Sequence, residues 1–143
     1  MKYTIFSIDN HTDLRTMARF LRYLDELRAM NKLSGNVVQC IGSWEGKLEP
    51  SFLCRSDDWF KFIAHSTYVE GQECVMQVSE CNKQYAQLVY NHGGDWMDTW
   101  FLGSLKDVDK EGAMMHKGWT YRPDLNTYWV VVTGNPDTVR GED

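Results

Sequence analysis

Val37-Val38-Gln39-Cys40-Ile41-Gly42-Ser43-Trp44-Glu45-Gly46-Lys47-Leu48-Glu49-Pro50-Ser51-Phe52-Leu53 is the stretch that sets the fold. Two runs rich in β-branched, aromatic and aliphatic residues flank a Gly-containing turn. The pattern predicts a strand over 37–44 and another over 50–55, joined as a hairpin. Two acids, Glu45 and Glu49, fall in the predicted turn beside Trp44. Carboxylates next to an aromatic face suit a cationic small ligand. The plainer reading is a solvated hairpin turn.

Working outward from the hairpin, each side adds a helix and a strand. Upstream, apolar residues at Met17, Phe20, Leu21, Leu24 and Leu27 recur at helical spacing and predict a helix from Asp13 to Leu33. Thr12 or Asn10 is placed to cap it, and Ser34-Gly35-Asn36 to stop it. Arg15, Arg19, Arg22 and Arg28 lie largely off the apolar face and read as its solvated side. Before it, the alternation around Thr4-Ile5-Phe6-Ser7-Ile8 predicts a strand at about 2–8. Downstream, Ser56 is expected to cap a second helix ending at Gly71, followed by a strand over 73–80.

The order is then β-α-β-β-α-β, the ferredoxin-like arrangement with two helices on one face of an antiparallel sheet. Further strands follow. Residues 85–90 should pair with 73–80, and 118–121 with 128–132 through a turn at Pro123-Asp124-Leu125-Asn126. The expected class is α+β: an α/β sandwich with that core plus extra C-terminal antiparallel strands. The path of residues 91–117 is left open. The tail from about 134 is polar and expected to be flexible. One face of such a sheet would be uncovered, and pairing between copies of the chain is the economical way to cover it.

Length and composition set limits. A chain of 143 residues fits a single domain over 1–143. It can bury roughly two thirds of its unfolded surface without a metal or disulfide staple. A net charge of −5 disfavours binding to nucleic acid or to an anionic membrane. No run of about 18 apolar residues is present, and the N-terminus lacks the pattern of a signal peptide. Cys40, Cys54, Cys74 and Cys81 show no metal-binding spacing, so free thiols in a reducing cytoplasm are expected. His11, His65, His92 and His116 are scattered, so no metal site is predicted. His11 and His92 are each placed where they could touch a ligand. There is no Gly-x-Ser-x-Gly elbow and no phosphate-binding Gly-x-x-x-x-Gly-Lys loop. Of the six tryptophans, Trp44 is the one expected at a ligand and the others in packing.

Three stretches carry a resemblance to a known family. One is the hairpin ending in Glu49 before Ser51-Phe52-Leu53-Cys54-Arg55, with Asp57 opening a helix. A second is Gln72-Glu73-Cys74-Val75 leading to Gln87-Leu88-Val89-Tyr90. The third is Phe101-Leu102-Gly103-Ser104-Leu105-Lys106-Asp107-Val108, then a strand with Gly and a final Trp129-Val130-Val131. Over roughly 36–133 the chain resembles the phage S-adenosylmethionine-degrading enzymes, the SAM lyases first described as SAM hydrolases.

That resemblance implies a PII-like (GlnB-like) trimer with active sites between subunits, in the host cytoplasm. It implies SAM as substrate, no cofactor, and catalytic acids at Glu49 and Glu73. Glu45 and Trp44 join them as substrate-binding candidates from the turn, and Gly103 and Ser104 as backbone contacts for the adenosine. The implied reaction yields methylthioadenosine and homoserine lactone, and drains SAM from SAM-dependent restriction. Host SAM synthetase is a possible partner. The alternative is a non-catalytic PII-like module that binds an adenine ligand or a host protein.

Overall fold

The computed structural model describes residues 2–81, 85–98 and 103–132. Among these described residues nine strands form one antiparallel sheet: β1 (Lys2–Phe6), β2 (Val38–Trp44), β3 (Lys47–Arg55), β4 (Cys74–Ser79), β5 (Ala86–His92), β6 (Asp95–Asp98), β7 (Ser104–Val108), β8 (Gly118–Arg122) and β9 (Thr127–Val132). Their order across the sheet is β6-β5-β4-β1-β3-β2-β8-β9-β7. The middle four run β4-β1-β3-β2, with Ile5 opposite both Leu53 and Met76. All three predicted hairpins form, β2 with β3, β4 with β5 and β8 with β9.

Helix α1 (Leu14–Ala29) buries the predicted face through Phe20, Leu24 and Leu27. Its limits differ from those expected. Asp13 is the cap, accepting from the Arg15 amide and the Thr16 hydroxyl at 2.8 Å, while Asn10 turns at a positive φ of 54°. The helix stops before Ser34 because Asn31 adopts the left-handed conformation (φ 55°) and the Lys32 amide returns to the Leu27 carbonyl at 2.8 Å. Ser34 serves elsewhere: its amide and hydroxyl both donate to the buried Asp58 carboxylate.

The second helix is not continuous. A single helical turn, α2 (Ser56–Asp58), runs into a π-helical turn over Trp59–Ile63, and a 3-10 turn covers Thr67–Val69. Ser56 does not cap it; its hydroxyl meets Thr4 Oγ1 at 3.2 Å. The run Trp59-Phe60-Lys61-Phe62-Ile63 has modest helix propensity, and packing decides its course. Trp59 and Ile63 are both fully buried, and the widened turn lets the Ala64 amide reach the Trp59 carbonyl at 2.7 Å.

Two cores result, one on each face of the central strands. On the helix side, Phe6, Ile8, Phe52, Cys54, Val75 and Val89 pack against Phe20, Leu24, Trp59, Ile63 and Val69. Each large side chain removed from water here contributes about 1.5–3 kcal/mol. On the other side, Ile5, Cys40, Leu53 and Val78 meet Ala86, Leu105 and Trp129. Leu105 lies on β7, the last strand in the order, yet it shares a cluster with Ala86 of β5. The sheet therefore curls round, and the Ala86 and Gly103 backbones exchange two hydrogen bonds of 3.2 Å across the closure. The face expected to need another subunit is thus filled in part by the chain's own β7 and β9.

Strands β6 and β7 and the short helix α3 (Lys110–Met114) run through the segment whose path the sequence left open. Cys40 and Cys54 are buried, Cys74 is half-buried and Cys81 exposed, all as free thiols. Trp59 and Trp129 are buried. Trp100 and the tail from 134 lie outside the described residues. Among the described residues no helix is long and apolar enough to cross a membrane.

Candidate active site

The β2–β3 hairpin closes in two residues. Trp44 pairs with Lys47, and Glu45 and Gly46 both take positive φ, 50° and 84°. This is the turn whose twist matches paired strands. Glu45 therefore sits at the turn, as expected, and its amide donates to the Lys117 carbonyl at 2.7 Å. Glu49 does not. It lies within β3, opposite Gly42, because the tight turn leaves Lys47, Leu48 and Glu49 to the strand.

Strand alternation puts Glu49 on the same face as Ser51 and Leu53. Two features shape its surroundings. Gly42 leaves space across the strand: a Cβ there would stand 2.7 Å from Ser51 Oγ and 3.7 Å from Glu49 Cγ. The end of β1 supplies a donor: Ser7 Oγ lies 3.1 Å from Glu49 Oε1 and 3.2 Å from Ser51 Oγ. A carboxylate only accepts, so the Ser7 proton goes to Glu49 and the Ser51 proton to Ser7. Both serines are buried, and this relay fixes one oxygen of the acid. The other oxygen, Oε2, lies 3.8 Å from His11 Nε2, with the glutamate side chain 47% exposed. The result is an acid held from below and open above. Trp44 stands on the same face, 60% exposed, its ring against Gly118, where a Cβ would come within 2.7 Å.

Glu73 occupies a different setting. It immediately precedes β4, and its carbonyl accepts from the Asn91 amide at 2.9 Å. Alternation places it with Val75, on the helix-covered face. There it lines a cleft of about 620 Å³ with Glu70, Gln72, His65, Asn91 and Trp96. Trp96 forms a firm wall: its Nε1 donates to the Ala64 carbonyl at 3.1 Å and its ring meets Trp59 edge-on at 5.2 Å.

Glu49 and Glu73 thus lie at the same end of the sheet, on segments flanking β1, but on opposite faces. Gly103 is farther off. It bridges to Ala86, which stands opposite Val78 and, through it, Tyr3, at the other end of β1 from Ser7. Ser104 opens β7 opposite Val132. Within one chain the β2–β3 hairpin carries Glu49, Trp44 and Glu45, with Glu49 meeting Ser7 on the β1 side and the Trp44 ring lying against Gly118 on the β8 side; Glu73 and Gly103 stand apart from the hairpin.

Sequence reading missed Ser7 and Ser51. Their signal was a polar residue at an inward position of an apolar alternation, Tyr3-Ile5-Ser7 on one strand and Ser51-Leu53 on the next. Asp9 and Gly42 were also passed over as site residues.

A comparison with curated proteins returns no match. The family model described as the S-Adenosylmethionine lyase family matches residues 7–132. That span begins at Ser7, takes in Glu49, Glu73 and Gly103, and ends at the last described residue of β9. Matched over most of its length, the chain belongs to the S-adenosylmethionine lyase family.

Proposed function

We propose that this protein cleaves S-adenosylmethionine to methylthioadenosine and homoserine lactone. The observation that carries the reading is the half-exposed Glu49 carboxylate, fixed through one oxygen by Ser7 and open to solvent through the other, which faces His11 Nε2 at 3.8 Å. The family match supplies the substrate class.

The chemistry asks little acid–base work of the protein. The substrate's sulfonium leaves as a neutral thioether. An oxygen of its own α-carboxylate attacks the γ-carbon, the carbon–sulfur bond breaks, and the electron pair goes to sulfur. A five-membered lactone forms, with no proton to remove and no water consumed. Catalysis then consists of folding the methionine tail into an attack geometry and keeping water away. Glu49 binds the α-ammonium by charge-assisted hydrogen bonds, which leaves the substrate carboxylate free to react. Trp44 offers a ring face to the adenine or the sulfonium, and Glu45 adds negative charge at the turn.

Glu73 completes the site in this reading as a second acid. A seam between subunits accommodates two acids that one chain holds on opposite faces, which supports a trimer with shared sites. The middle strand order β4-β1-β3-β2, with α1 crossing between β1 and β2, supports a ferredoxin-like, PII-like core. Gly103 and Ser104 reach the adenosine from a neighbouring subunit in such a trimer. SAM is substrate, and the reaction needs no added cofactor. The resemblance to phage enzymes supports a role in the host cytoplasm, against SAM-dependent restriction, with host SAM synthetase as a possible partner.

The test is direct. Protein incubated with SAM should release methylthioadenosine and homoserine lactone in equal amounts by chromatography. Saturable SAM binding with no products would instead favour the non-catalytic binding module.

A further inference from the structure

Asp9 lies between the two acidic loci, and its carboxylate is committed on both oxygens. Oδ2 accepts the Gly71 amide at 2.6 Å and Oδ1 accepts Gln72 Nε2 at 2.8 Å. Its own amide donates to the Tyr68 carbonyl at 2.7 Å. Gly71 is fitted to this grip: a Cβ there would meet both carboxylate oxygens at 3.1 Å.

Both neighbours have functional positions. Two residues before Asp9 is Ser7, and two after it is His11, the two side chains that meet Glu49. Two residues after Gly71 is Glu73, and Glu70, Gly71, Gln72 and Glu73 all line the cleft on the helix face. The opposite side of that wall is held by Asn91, whose Nδ2 donates to the Glu70 and Gln72 carbonyls at 3.1 and 3.2 Å. Asp9 is the tie from the wall to the segment that carries the partners of Glu49.

We infer that Asp9 is a positioning residue: it fixes the cleft wall carrying Glu73 relative to the segment that holds Glu49. This rests on the proposed reading that both acids serve SAM cleavage. Asp9 itself touches no substrate in this assignment. A misplacement of the wall by about 1 Å is enough to cost on the order of 100-fold in rate.

The exchange of partners between Asp9 and Gln72 tests it. Wild-type protein is assayed first, and absence of turnover there refutes the enzymatic reading rather than the role of Asp9. Given turnover, Asp9→Ala should lower kcat by about 10- to 100-fold with less change in KM, measured well below each variant's Tm. Gln72→Glu sets two carboxylates face to face and should lower kcat similarly. In the double variant Asp9→Asn/Gln72→Glu, the asparagine amide donates to the new carboxylate, and kcat should recover to within a few-fold of wild type. Wild-type kcat in Asp9→Ala overturns the inference. So does a loss that tracks only the folded fraction, or a double variant no better than Gln72→Glu alone.

Discussion

Ser7 Oγ lies 3.1 Å from Glu49 Oε1, across 42 positions of sequence, and receives a proton in turn from Ser51. A buried hydroxyl pair thereby holds a surface acid in one orientation. An exposed glutamate would otherwise sample many rotamers and lose entropy on meeting a ligand. Here part of that loss is taken at folding.

Replacing Glu49 by Gln keeps the shape and the bond from Ser7 but removes the charge. Turnover of SAM should fall by about 100-fold or more, while the Tm stays within a degree or two because the side chain is half exposed. Product analysis beside a thermal melt checks both halves. Undiminished methylthioadenosine release would remove Glu49 from the mechanism.

Ser7→Ala removes the donor to Glu49 and leaves Ser51 without its acceptor. A loss of about 1 kcal/mol in stability is expected. The affinity for SAM should weaken by several-fold as the acid loses its fixed orientation, which titration calorimetry would read directly.

Gly42→Ala places a methyl 2.7 Å from Ser51 Oγ. Overpacking of this kind costs about 1–3 kcal/mol. Adding Ser51→Ala removes the obstructing oxygen, so the double variant should be more stable than Gly42→Ala alone. A denaturant-unfolding cycle measures the coupling. Simple additivity would show that the contact is not the cause.

Trp44→Ala should raise KM by roughly five- to tenfold, the equivalent of about 1 kcal/mol of ring–cation attraction. Its ring is 60% exposed, so the fold should be unaffected. Trp44→Phe should recover part of the loss. An unchanged KM in Trp44→Ala would place the substrate elsewhere.

Burial pushes the Cys40 thiol up from 9.0 to about 11, and Cys54 is also raised by burial. A raised pKa means that the folded chain holds the proton to higher pH than the unfolded one. Stability from these thiols is full below pH 9 and declines as pH rises toward 11. For Cys40 the decline is on the order of 2 kcal/mol. Cys40→Ala should flatten the fall in Tm across that window. Iodoacetamide at pH 8 should label exposed Cys81 in the native state and spare Cys40 and Cys54 until the chain unfolds.

Much of the fold was legible because its signals are local. The apolar stripe Met17-Phe20-Leu24-Leu27 gives α1, and the runs about Glu45-Gly46 give the first hairpin. Asp95-Trp96-Met97-Asp98 and Ser104-Leu105-Lys106-Asp107-Val108 are short and charged, so periodicity did not mark them. They become strands because β5 and β9 offer open edges to pair with. The site was legible in its acids and hidden in its supports. Glu49 stands out in sequence, whereas Ser7 acquires meaning once the β1–β3 register places it beside Ser51. The break at Trp59–Ile63 was hidden for a similar reason: long-range packing overrode a helical pattern.

The bridge from Ala86 to Gly103 has a bearing on how the chain survives at high concentration. An open nine-stranded sheet would present long unsatisfied rims to its neighbours, the template for fibrous stacking. Curling brings Ala86, the first residue of β5, against Gly103, and β6 pairs with Val89 to His92. The rim then passes to β6, a strand of four residues opening on the exposed Asp95, whose charge repels the same residue of a second copy laid alongside. Colloidal protection is thus written into the same closure that gathers Leu105 and Trp129 inside.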